Sequence, residues 1–248
     1  MNRFHRQITF APFGEEGQRR LAQSRVLIVG CGALGSAVAN ILVRAGVATE
    51  SAGLVGLIDP DTVSLDNLHR QFLFTEADAK RQRLKVEAAR DALHQAVSTT
   101  AIQLFPVRLD ESNTALLDGF DLFIDGTDNF VTRFLLNGES VRRRVPLISA
   151  GVAGTAGQMF VVRQPQTACI ACLMPMKNDL NEKSDVDRLG VLSPIVQTIS
   201  AIQASEAIKI LTGHGEAVRP TLLTIDLWQN RLKEFCIEKN PNCLVCGH

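Results

Sequence analysis

Three kinds of side chain in this sequence are spaced in ways that suit chemistry. The first kind is cationic or amide: Asn67, Arg70 and Gln71 stand close together, and Lys85 follows. Arginine and lysine meet phosphate oxygens through charge-assisted hydrogen bonds. The second kind is carboxylate. Asp59 closes the apolar run LVGLID, and Asp128 lies in DGTDN, just after the run DLFID. A carboxylate at the end of a second strand can grip a ribose hydroxyl. Asp128 could hold Mg²⁺, a hard cation that prefers oxygen ligands; a cap on a helix beginning at Asn129 is the alternative. The third kind is thiol. Cys169-x-x-Cys172 and Cys243-x-x-Cys246 form two pairs at tetrahedral zinc spacing. Four thiolates leave no open position, so such a zinc is structural. Cys31 and Cys236 read as small buried hydrophobes.

A glycine pattern accompanies these groups. VLIVGCGALGSAV runs from an apolar stretch through Gly30, Gly32 and Gly35 into a helical pattern. Glycines there let the backbone approach phosphate, and the helix N-terminus favours negative charge. Taken alone, this loop suits NAD, ATP, or a tight turn with no ligand. Arg70 and Lys85, taken singly, also suit a solvated surface. The ordered set from Gly30 to Asp128 favours a nucleotide triphosphate, because a dehydrogenase has little use for an arginine and an amide just after Asp59.

The elements that must position these groups are legible as periodicity. Apolar runs at 25–30, 54–59, 102–107, 121–125 and 146–150 read as strands. Helices fit at 33–45, from Thr75 through Lys85 to about Val97, at 111–117 and at 129–143. This alternation predicts an α/β, Rossmann-like fold with a largely parallel sheet. After Gly151 the pattern becomes strand, long loop, long helix and two strands: 157–163, 174–190, 192–211, 221–225 and 232–237. The expectation is one domain over 1–248, with a nucleotide-binding part at 1–150 and an antiparallel C-terminal extension at 151–248 that carries the zinc site. The polar stretch 174–190 is the long loop, a length often used for functional lids.

Composition narrows the function classes. Lys+Arg and Asp+Glu both number 26, so the formal charge is zero and nothing favours nucleic acid. No N-terminal charged-then-apolar stretch suggests secretion. The most apolar long segment, 191–211, carries Gln197, Gln203, Glu206 and Lys209, so it reads as a buried helix and not a membrane span. Six cysteines are too few for a disulfide scaffold. The chain is read as soluble and cytoplasmic, with no membrane partner.

RFHRQI at 3–8, GCGALG at 30–35, LIDPDTVSLDNLHRQ at 57–71, LKVEAA at 84–89, GTDN at 126–129 and the CIAC/CLVC pairs occur in this order. In this respect the chain resembles, over essentially its whole length, the E1-like adenylyltransferases of ThiF/MoeB/HesA type. That family activates ubiquitin-like sulfur carriers for thiamin or molybdopterin biosynthesis. The resemblance implies that the glycine loop holds ATP and that the C-terminal glycine carboxylate of a carrier ending in Gly-Gly attacks the α-phosphate. An acyl-adenylate and pyrophosphate result. It further implies that Gly30, Gly32, Ala33 and Gly35 face the nucleotide and that Asp59 binds the ribose. Asn67, Arg70, Gln71 and Lys85 would contact phosphates, Asp128 would bind Mg²⁺, and Asp61, Asp66 and Asn129 would complete the site. Arg6 would reach the other subunit's phosphates, making a homodimer the active unit. The same ATP site could instead adenylate a peptide or another carboxylate.

Three departures from the family pattern stand out. Some relatives carry a further cysteine before the last long helix. Here Val186 occupies that place, and no cysteine lies between Cys172 and Cys236. The expectation is adenylation alone, with a separate sulfurtransferase downstream and no rhodanese-like extension. ATESAG at 48–53 is longer than the usual turn and predicts a longer surface loop. The spacing from Gln71 to Lys85 is also slightly long.

Overall fold

The computed structural model describes residues 3–174 and 188–247. Eight strands form one sheet: β1 (Arg25–Val29), β2 (Leu54–Ile58), β3 (Ile102–Phe105), β4 (Leu122–Asp125), β5 (Leu147–Ala153), β6 (Ala156–Val162), β7 (Leu222–Asp226) and β8 (Arg231–Phe235). Their spatial order is β3-β2-β1-β4-β5-β6-β7-β8. The first five strands pair in parallel, and the last three join antiparallel. The parallel strands are nearly continuous apolar runs because helices cover both faces. Each of the eight predicted strands is present. The fifth runs beyond the expected 146–150, because it turns directly into β6 and the pair continues to Ala153↔Ala156.

Helices α1 (His5–Ile8) and α2 (Gly14–Gln23) precede the sheet. Helices α3 (Ala33–Ala45), α4 (Glu76–Lys80) and α5 (Lys85–Ala96) follow, then α6 (Phe130–Arg143), α7 (Ile170–Leu173) and α8 (Ser193–Leu211). One apolar cluster gathers Leu34, Val38 and Leu42 of α3, Val86 and Leu93 of α5, and Ile195 and Ile199 of α8. A second gathers Phe134 and Leu136 of α6, Ile170 of α7, and Phe123, Leu147 and Phe160 of the sheet. The sheet is therefore the middle layer of three. The 191–211 segment is the buried helix expected: Gln203 and Glu206 are 0% and 1% exposed. No described helix is long and apolar enough to cross a membrane.

The single helix expected from Thr75 to Val97 is two. Thr75 caps α4 through a capping box with Asp78. The chain then passes through Gln82 at φ +49° before Lys85 opens α5. The break has a tertiary cause. Thr62 bridges to Leu84, and the Lys85 N–H donates to the Asp61 carbonyl at 2.9 Å. The segment 111–117 forms a 3₁₀ helix. The 48–53 insertion is not simply a surface loop: Ala48 is fully buried, and its carbonyl accepts from the Ala101 N–H. The long-loop expectation at 174–190, and Val186 with it, lies almost wholly outside the described residues.

Register sets the site. Val29 pairs with Ile58 on one side and with Asp125 on the other. The residues that follow β1, β2 and β4 therefore emerge at one edge of the sheet. The chain runs β1, β2, β3 in one direction and then returns to place β4 on the far side of β1. That reversal is a topological switch point, where open α/β sheets form a ligand crevice.

Candidate functional site

A cavity of about 840 Å³ opens at this switch point. Gly30, Gly32, Ala33, Asp59, Asp61, Asp66, Asn67, Arg70, Gln71, Lys85, Asp128 and Asn129 all line it. The cavity continues over the face of β5, β6 and β7, past Gly151, Gln158 and Thr224, to Arg231 and Lys233 on the edge strand.

The glycines have different tasks. Gly30 has φ +88°, and a Cβ there would lie 2.8 Å from the Gly126 carbonyl group. A Cβ on Gly35 would lie 1.8 Å from the Gly30 oxygen. The loops after β1 and β4 thus pack backbone against backbone, which only glycine permits. Gly35, expected to face a nucleotide, does not line the cavity and serves this close approach instead. Gly32 is the open one. Its nearest neighbour would be the Gln71 amide nitrogen at 3.8 Å, and it stands at the N-terminus of α3.

Asp59 is 5% exposed. Its Oδ2 accepts from the Cys31 N–H at 2.7 Å and its Oδ1 from the Asp61 N–H at 2.8 Å. It therefore shapes the glycine loop as well as facing the cavity. Burial pushes its carboxyl above the usual carboxylate range, and the charge of Lys85 pulls it back. Lys85 is buried at the first turn of α5, and its Nζ donates to Asp61 Oδ2 at 2.8 Å. The long spacing from Gln71 is absorbed by α4, and Lys85 still reaches the cavity.

Arg70 donates to the Asp66 carbonyl at 3.2 Å and to the Asn67 side chain. These bonds hold the guanidinium on its own turn while it lines the cavity. Gln71 is 3% exposed, and its Oε1 has no hydrogen-bond partner among the described residues. A buried, unpaired acceptor beside an open glycine fits a bound polar ligand, since leaving it unmade costs about 1–3 kcal/mol.

Asn129, not Asp128, caps α6; its Oδ1 accepts from the Thr132 N–H at 2.8 Å. Asp128 is exposed, lines the cavity and makes no hydrogen bond or ion pair with a described residue. Its oxygens are free for a hard cation. Arg6 lies exposed on α1, outside its own chain's cavity, and has no ion-pair partner among the described residues.

The structure adds residues that the spacing did not single out. Asp125 and Arg133 form a buried pair at 2.7 Å behind the GTDN loop. Arg108, Arg231 and Lys233 add cations to the cavity wall. Arg133 had one legible signal: with Asn137 and Ser140 it forms a polar series on the buried side of α6.

The four paired cysteines come together as expected. Their sulfurs all lie within 4.8 Å of one another. Cys169 is 4.0 Å from Cys172 and 3.7 Å from Cys243, and Cys172 is 3.5 Å from Cys246. Thiolates around one tetrahedral ion at about 2.3 Å would stand about 3.8 Å apart. The cluster could hold a metal ion, and it pins the C-terminal segment to α7. Cys31 is buried as expected; Cys236 is exposed, directly after the edge strand β8, every residue of which is exposed.

A sequence profile of the ThiF family matches residues 4–245. The Molybdopterin-synthase adenylyltransferase of Escherichia coli (strain K12) is 38% identical over 249 residues, covering 100% of this chain and 96% of that protein. The Sulfur carrier protein ThiS adenylyltransferase of Bacillus subtilis (strain 168) is 35% identical over 251 residues, covering 99% of this chain and 71% of that protein. Among solved structures, Escherichia coli MccB with ATP superposes with a TM-score of 0.84 at 23% identity, covering 100% of this chain and 75% of that one. At that identity the likeness is one of fold.

Proposed function

The chain belongs to the ThiF family, and from that premise we propose that it is an adenylyltransferase acting on a sulfur carrier protein. It uses ATP to adenylate the C-terminal glycine carboxylate of a small ubiquitin-like carrier ending in Gly-Gly, for thiamin or molybdopterin biosynthesis. The relatives' names, sulfur carrier protein ThiS adenylyltransferase and molybdopterin-synthase adenylyltransferase, support the substrate class. The observation that carries the reading is the cavity itself. It brings Gly32, Asp59, Arg70, Gln71, Lys85 and Asp128 to one switch point.

In this reading the triphosphate lies over Gly32 and the α3 N-terminus, where the helix dipole favours its charge. Asp59 accepts from the ribose. Asn67, Arg70, Gln71 and Lys85 meet phosphate oxygens, with Asp61 and Asp66 holding the cations in place. Asp128 would hold Mg²⁺, which when bound neutralises charge on the leaving pyrophosphate. A carboxylate oxygen of the carrier forms the new bond to the α-phosphorus, and the bond to pyrophosphate breaks. Such transfers rest on positioning and charge neutralisation, so no protein nucleophile is required.

Arg6 completes the site of a second copy, which makes the homodimer the active unit. The four cysteines hold a structural zinc, and residues 151–248 supply the carrier-binding and zinc part. A separate sulfurtransferase consumes the adenylate.

ATP–pyrophosphate exchange tests the activity. Exchange that depends on a Gly-Gly carrier such as the ThiS of Bacillus subtilis is expected. No exchange with ThiS or with the molybdopterin-type carrier would remove the proposal.

A further inference from the structure

The most buried ion pair among the described residues stands beside the site. Asp125 is fully buried at the end of β4. Its Oδ2 accepts from Arg133 Nε at 2.7 Å and from Ser149 Oγ at 2.7 Å. Its Oδ1 accepts from the Thr127 N–H at 3.0 Å and from Thr127 Oγ at 2.6 Å. Arg133 Nη2 donates to the Thr127 carbonyl at 3.0 Å and to the Ala150 carbonyl at 2.7 Å. The Phe130 ring lies against the guanidinium, 5.4 Å from centroid to Cζ.

These bonds occupy Nε and Nη2 and leave Nη1. Nη1 donates to no described residue. A Cβ built on Gly151 would lie 3.7 Å from it. Gly151 and Arg133 both line the cavity, together with Gly32, Asp128, Gln158 and Thr224. The glycine therefore leaves open the space in front of a fixed, unused pair of N–H donors. N–H groups on a charged guanidinium make strong, charge-assisted hydrogen bonds to a carboxylate oxygen.

We propose that Arg133 binds the acceptor: Nη1 holds the terminal carboxylate of the incoming chain beside the α-phosphate. This rests on the adenylation reading above. One carboxylate oxygen accepts from Nη1, and the other attacks the α-phosphorus. The bond from that phosphorus to the pyrophosphate oxygen breaks, its electron pair leaves with pyrophosphate, and no proton moves. Arginine stays protonated throughout. Asp125 offsets its charge, so the carboxylate is held in place and keeps more of its nucleophilic charge than it would beside an unpaired cation. The gain is orientation of the two reactants.

The test is Arg133→Lys in the full-length protein, assayed by ATP–pyrophosphate exchange with Bacillus subtilis ThiS. The lysine keeps a cation against Asp125 but loses the Nη1 donors. The KM for ThiS is expected to rise about tenfold or more. The KM for ATP is expected to stay within about twofold, because Arg133 binds the acceptor and not the nucleotide. Asp125→Asn with Arg133→Gln keeps the buried charge balanced and should show the same split if the lysine variant folds poorly. A parallel loss on ATP and ThiS would mark Arg133 as support for the GTDN loop alone and overturn the proposal. So would an unchanged KM for ThiS in an active enzyme, or loss of the fold in both variants. A wild type that exchanges with no carrier removes the adenylation reading, and this assignment with it.

Discussion

Asp128 and Asp59 are both carboxylates at strand ends, and their surroundings give them different work. Asp128 is exposed and has no hydrogen-bond or ion-pair partner among the described residues, Asn129 capping the helix in its place. Asp128→Ala should therefore abolish exchange while the Tm stays within about 2 °C of wild type, as for surface changes generally; retained exchange would take Asp128 out of the site. Asp59 is buried and already accepts two backbone N–H groups. Burial raises its carboxyl, so ionised Asp59 weakens the fold. That effect is absent at acid pH and sets in as the pH rises from the unfolded value through the folded one. Lys85 opposes the rise. In Lys85→Gln the acid limb of adenosine binding should move to higher pH. Adenosine lacks phosphates, so it reads the ribose contact without any phosphate contact to Lys85, and an unmoved limb would show that Lys85 does not act on Asp59. At this scale the types and order of Asp59, Arg70, Lys85 and Asp128 in the sequence pointed to residues that do line one cavity. Gly35 was misread because a glycine that admits a ligand and one that admits another loop look alike in sequence. Arg133 was passed over because its partner, Asp125, lies at the end of a different element.

The elements explain why the two halves of the chain behave as one framework. Helix α6 carries three tasks along its length. Its Asn129 cap fixes the turn after Asp128, its Arg133 holds Thr127 and Ala150, and its Asn137 accepts from the Ile170 N–H at 2.8 Å. That last bond ties α6 to α7, which carries Cys172 and follows directly on Cys169. Losing the cap in Asn129→Ala should cost about 1 kcal/mol in denaturant unfolding. Metal analysis should give about one zinc per chain. Removing the metal, or Cys243→Ser, should lower the Tm by several degrees, because binding energy at such a site is folding energy. An unchanged Tm in metal-free protein would mean the cluster does not bear on the fold. Strands were read well from sequence because buried parallel strands are unbroken apolar runs. The break between α4 and α5 was not, since helical periodicity continues across it. Contacts distant in sequence enforce it: Thr62 pairs with Leu84, the Val63 N–H donates to the Arg83 carbonyl, and Lys85 bonds Asp61.

The whole molecule places a nucleotide-sized crevice at the reversal of strand order and extends it as an open arm toward an edge strand. The layered α/β architecture and its antiparallel extension were legible from the alternation of elements and its loss after Gly151. The arm is made by register: the antiparallel pairing of β5 to β7 sets Gly151, Gln158 and Thr224 side by side on one face. Arg6 stands outside its own cavity, so the proposed composite site requires a second copy. Mixing Arg6→Ala with Arg70→Ala protein should restore about a quarter of wild-type exchange, since about half the dimers are mixed and each has one intact site. No recovery in verified heterodimers would place Arg6 outside the reaction. The central claim is the bond that is made. Intact-mass spectrometry of a Gly-Gly carrier incubated with this protein and ATP should show AMP added to the carrier, and a carrier lacking its terminal glycine should gain nothing. ATP consumed with no adenylate on the carrier, or AMP added to both carriers alike, would contradict the account.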